Sequence, residues 1–104
     1  MTEKLNLKFY VAGVKFRKGW KDNLNELEID SKLTLLPEPT NKFDKYAVQI
    51  LSGTTMLGYV PSKTGEAEVV STALNNEKTL EATIYNLMPE AEPWRALEVE
   101  IKEV

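Results

Sequence analysis

Three short stretches gather the side chains that could do chemistry. They are Lys15-Phe16-Arg17 followed by Gly19-Trp20, then Asn41 to Asp44, then Gly58-Tyr59-Val60-Pro61-Ser62-Lys63. Together they mix cations, aromatic rings and one acid. Aromatic faces accept stacked bases of any identity, and lysine or arginine beside them neutralises phosphate, which is how single-stranded nucleic acid is gripped. Phe16, Trp20, Tyr59 and Trp94 are the candidate stacking rings. Taken singly, Phe16 and Tyr59 read first as core or edge packing of a small barrel. Trp20 and Trp94 lie in polar segments, where burial is harder.

Other chemistries fail on residue type. The 104 residues include no histidine and no cysteine, which excludes disulfides, thiolate nucleophiles, imidazole acid-base work and zinc sites built from those side chains. The five glycines are scattered and form no phosphate-binding loop. The carboxylate pairs Glu66/Glu68 and Glu98/Glu100 read as solvated surface, because an acid-base dyad requires burial and separated pKa values. A binding module is therefore expected, not an enzyme, and no cofactor or metal.

The net charge of −3 conceals an asymmetry. Residues 1 to 63 carry ten basic and seven acidic side chains, and residues 64 to 104 carry three and nine. Lys4, Lys8, Lys15, Arg17, Lys18 and Lys21 face only Glu3 within the first 21 residues. A basic, aromatic-rich patch on an acidic chain suits a small anion-binding site, or simply a solvated face. The overall acidity argues against extensive duplex binding, which depends on many phosphate contacts. No apolar run approaches the roughly 18 residues of a membrane span, and the start lacks the apolar stretch of a secretory signal, so a cytoplasmic protein is expected.

The elements that must position these residues are mostly strands. Alternation predicts strands over residues 6 to 14, 32 to 36, 46 to 51, 56 to 60, 80 to 87 and 96 to 101. Residues 17 to 31 read as a loop with a short helix around Leu24 and Leu27. Ala67, Val70, Ala73 and Leu74 recur at helical spacing after Pro61 and a capping Ser62, which predicts a helix over 63 to 75. Pro37 and Pro39 stop the second strand, and Asn41 to Asp44 has turn composition. The sum is a single domain, mainly β with one or two short helices: a small OB-like or SH3-like barrel of about six strands.

Gly13-Val14-Lys15-Phe16, the run Glu38-Pro39-Thr40-Asn41-Lys42-Phe43-Asp44-Lys45-Tyr46-Ala47-Val48, and Leu57-Gly58-Tyr59-Val60-Pro61 together resemble the HIRAN domain, in order and spacing, over about residues 7 to 87. The resemblance implies an OB-like barrel that recognises single-stranded DNA at its 3′ end, in a DNA-repair or replication-fork setting. A helicase or SNF2-type ATPase would be its partner in trans. It further implies that Lys15 meets phosphate, and that Phe16 and Arg17 occupy aromatic positions of the family. Asn41, Phe43 and Asp44 would line the pocket for the terminal nucleotide. Tyr59, Ser62 and Lys63 would continue the groove, and Trp94 would cover the terminal base. Arg17 departs from the aromatic pattern, and Lys42 stands where the family usually has proline.

Asp44 is the discriminating residue on physical grounds. A carboxylate at the end of a cationic groove accepts a hydrogen bond from a free 3′-hydroxyl and repels a 3′-phosphate or a continuing strand. It can close an Asx-turn at the same time. The competing reading is a small barrel for protein interaction, or an accessory domain of a helicase or nuclease, without DNA affinity of its own.

Overall fold

The computed structural model describes residues 4–104; Met1 to Glu3, at the head of the stretch read for a secretory signal, lie outside it. Six antiparallel strands form one curled sheet in the order β1-β6-β5-β2-β3-β4. They are β1 (Asn6–Tyr10), β2 (Lys32–Pro37), β3 (Val48–Ser52), β4 (Thr55–Tyr59), β5 (Leu80–Leu87) and β6 (Leu97–Glu103), with helices α1 (Trp20–Asn25) and α2 (Glu66–Asn75). Short 3-10 turns span Val14–Phe16 and Pro93–Arg95. No helix among the described residues is long and apolar enough to cross a membrane.

The concave face collects the apolar members of each alternating strand. Phe9, Val11, Leu33, Val48, Ile50, Leu57, Ala82, Ile84, Leu97, Val99 and Ile101 are all buried there, joined by Leu24 of α1 and by Ala67 and Val70 of α2. Burial of this set is the main stabilising term of the fold. Strand β6 lies between β1 and β5, with Val99 opposite Phe9 on one side and Ile84 on the other.

The sheet curls far enough for its two ends to meet. Beyond β1, the Val11 N–H still donates to the Leu97 carbonyl at 2.9 Å, and the next residue changes sides. Ala12 and Tyr59 then exchange both backbone hydrogen bonds, each at 2.8 Å. This bridge joins the first strand to the last in sheet order. It demands close backbone approach, which Gly58 allows: a Cβ there would lie 2.4 Å from the Ala12 carbonyl oxygen and 2.6 Å from Val11 Cγ1.

The strand expected over residues 6 to 14 ends early because Gly13 adopts φ +74°, a left-handed conformation that favours glycine. The chain leaves the sheet there and enters the 3-10 turn Val14–Phe16, with Val14 inside. Helix α2 starts at Glu66, later than expected, because Ser62 to Gly65 form a turn closed by the Gly65 N–H on the Ser62 carbonyl. Ser62 makes no side-chain cap.

Candidate nucleic-acid interface

Two adjoining grooves lie over the closure of the sheet and share Ala12, Gly13 and Phe16. The first, about 350 Å³, runs between Phe16 and Trp94, with Tyr10, Pro61 and Pro93 as further walls and Lys15 and Lys63 as its charged residues. The second, about 380 Å³, is lined by Asn41, Phe43, Asp44, Tyr59 and Ser62. Asp44 is the charged residue of its lining. The two cations thus line one groove and the acid the other, with Phe16 common to both.

That ring projects because of the turn beneath it. The 3-10 geometry directs Val14 into the core and turns Phe16 outward, 72% exposed, with the Lys15 ammonium 5.1 Å from its ring centroid. Trp94 stands on the turn Pro93–Arg95, 68% exposed. Phe43, at the tip of the β2-β3 connection, is 98% exposed. Phe16 and Trp94 line the first groove and Phe16 and Phe43 the second, so these exposed rings adjoin one another instead of lying scattered.

The β2-β3 connection is held at both ends. The Glu38 N–H donates to the Ala47 carbonyl at 2.8 Å, and the Ala47 N–H donates to the Asp44 carbonyl at 3.1 Å. Within it the Asn41 Oδ1 accepts from the backbone N–H groups of Phe43 (2.8 Å) and Asp44 (3.0 Å). The Asp44 Oδ1 accepts from the Tyr46 N–H at 2.9 Å. These are the Asx-turns expected of this composition. Among the described residues no hydrogen bond engages the Asp44 Oδ2, leaving that oxygen for an incoming donor.

Glu38 lies under this loop. Its carboxylate accepts from Asn41 Nδ2 at 2.8 Å, from the Tyr59 hydroxyl at 3.1 and 3.2 Å, and from Gln49 Nε2. Hydrogen bonds from Asn41, Gln49 and Tyr59, with the Arg17 guanidinium nearby, hold its carboxyl below the usual range. The Tyr59 hydroxyl is pushed up, first by burial and then by its hydrogen bond to that carboxylate.

The structure brings Lys15, Phe16, Lys63 and Trp94 to the first groove and Asn41, Phe43, Asp44, Tyr59 and Ser62 to the second, with Phe16 between them. Phe16 is not the core or edge residue that its type suggests. Tyr59 is half-buried, as its place in β4 requires. Arg17 lines neither groove: its Nη1 donates to Met56 Sδ at 3.0 Å, and its buried Nε has no hydrogen-bond partner among the described residues. Trp20 begins α1 and packs against the core, so its polar flanks did not keep it exposed. Two participants escaped the sequence reading. Tyr10 alternates with buried Phe9 and Val11, a pattern that already turns it outward. Glu38 stood in the recognised run, yet sequence offers no sign that three donors converge on it.

A curled six-stranded antiparallel sheet with two helices and a groove of exposed rings defines a small OB-like barrel. The HIRAN domain family model matches residues 4–102, and the chain belongs to the HIRAN family, which is generally associated with DNA binding. The crystal structure of the HIRAN domain of human HLTF is similar with a TM-score of 0.69 and 15% identity, over 94% of this chain and 74% of that one. A protein from Lactobacillus plantarum is similar with a TM-score of 0.79 and 16% identity, over 97% of each chain. At such identities the likeness is one of fold. No curated protein matches the chain.

Proposed function

We propose that this chain is a binding module, without turnover of its own, that holds the 3′ end of single-stranded DNA across the two grooves. The carrying observation is the segregation of charge about Phe16, with Lys15 and Lys63 on one side and Asp44 on the other. A strand entering over Lys63 and Lys15 has its phosphates neutralised while bases stack on Phe16 and Trp94. The terminal nucleotide then lies in the second groove, where its 3′-hydroxyl donates to Asp44 and a further phosphate would meet that carboxylate instead. The family resemblance extends this to a repair or replication-fork setting, with a helicase or SNF2-type ATPase supplied in trans.

The test is competition between two unlabelled DNAs of the same composition, one linear and one circular, against a labelled linear strand. Strong displacement by the linear DNA and weak displacement by the circle is the expected result. Equal displacement would leave a generic cationic groove. Failure of both the labelled strand and its competitors to bind at moderate salt would move the protein to the protein-interaction reading.

A further inference from the structure

Glu38 follows the last residue of β2, where Pro37 pairs with Val48. The neighbouring ladder pairs Gln49 of β3 with Tyr59 of β4, so the two side chains reach the same carboxylate from the rigid sheet. The third donor, Asn41 Nδ2, comes from the loop. Two amide N–H groups and a phenol converge on residue 38, and an ionised carboxylate, which only accepts, takes a hydrogen bond from each. We infer that Glu38 is the positioning residue of the second groove: it fastens Asn41 to the barrel, and Asn41 in turn fixes the backbone that presents Phe43 and Asp44.

The chain of contacts is continuous. One Nδ2 hydrogen of Asn41 is committed to Glu38 and its Oδ1 to the Phe43 and Asp44 N–H groups. The amide is thus a brace, with a single N–H left for a ligand. Tyr46 and Ala47 pack the C-terminal end of the connection against the core, whereas residues 39 to 43 have the Glu38–Asn41 contacts as their tie to the barrel, and Phe43 is 98% exposed. The purpose assigned to the brace rests on the DNA-end reading, but its existence does not.

The test begins without DNA, by measuring backbone order parameters across residues 41 to 45 in Glu38→Ala and Asn41→Asp. The second variant keeps an Oδ1 acceptor for the two backbone N–H groups and sets a second carboxylate against Glu38. It sits in a half-exposed loop position and leaves the core intact. Order in the loop is expected to fall from a rigid value of about 0.85 to below about 0.6 in both variants, with β3 and β6 unchanged. Retention of wild-type loop order in Asn41→Asp would show that the Asx-turn suffices alone and would overturn the inference, whatever Glu38→Ala does to folding. With DNA, both variants are expected to lose roughly tenfold in preference for a 3′-hydroxyl over a 3′-phosphate. A wild type lacking that preference would defeat the DNA-end reading and leave the brace standing on its order parameters.

Discussion

Gly58→Ala is expected to destabilise the domain by about 3 kcal/mol, lowering its melting temperature by about 15 °C. The added methyl has nowhere to go, because the atom 2.4 Å away is a backbone carbonyl and not the end of a flexible side chain. Moving Ala12 aside breaks the pair of hydrogen bonds with Tyr59, each worth about 1 kcal/mol. Residue 58 also holds φ +155°, outside what L residues adopt readily. Against a total stability of roughly 5–15 kcal/mol for a domain, such a loss is large. Ala12 and Gly13 are common to both grooves, so any folded fraction should also bind DNA poorly. Thermal unfolding followed by circular dichroism measures the effect. A midpoint within about 2 °C of wild type would mean that closure at Ala12 and Tyr59 does not hold the barrel.

The largest expected functional effect comes from Phe16→Ala combined with Trp94→Ala. Base stacking on an aromatic ring is worth about 1–3 kcal/mol per ring removed, so the double variant should bind single-stranded DNA about a hundredfold more weakly. Both rings are largely exposed, and little packing is lost with them. The melting temperature should therefore stay within a few degrees of wild type. Weakened binding with retained stability, measured by anisotropy and thermal melting on the same samples, is the expected pair of results. A double variant of unchanged affinity would remove stacking from the mechanism. A collapse in stability would mean that the rings serve the fold.

What the sequence discloses depends on how local the cause is. Strand β5 falls at the residues its alternation predicts, Leu80–Leu87, with Ala82 and Ile84 buried in turn before its pairing with β6 shifts register between Ile84 and Asn86. The first strand breaks where Gly13 turns left-handed, and alternation is blind to that: glycine fits either face of the pattern. Phe16 illustrates a second limit. Its apolar type favours burial, and only the 3-10 turn that carries Val14 inward decides that Phe16 points out. Arg17, next in line, donates to Met56, so one cationic-aromatic run divides between a groove, which Lys15 and Phe16 line, and a contact with β4. The turn around Asn41 and Asp44 was legible because its hydrogen bonds close within six residues. Glu38 was not, since two of its three donors lie 11 and 21 residues away.

The central claim is that Asp44 reads a strand end. Its most direct test is fluorescence anisotropy of one short labelled single strand ending in a 3′-hydroxyl and of the same strand ending in a 3′-phosphate, each titrated with wild type and Asp44→Ala. Wild type should bind the hydroxyl end at least tenfold more tightly, the worth of one charge-assisted hydrogen bond. Asp44→Ala should bring the two strands to similar affinity, by weakening the first and relieving repulsion of the second. Equal wild-type binding to both ends, or a preference that survives in Asp44→Ala, would contradict end recognition by this carboxylate.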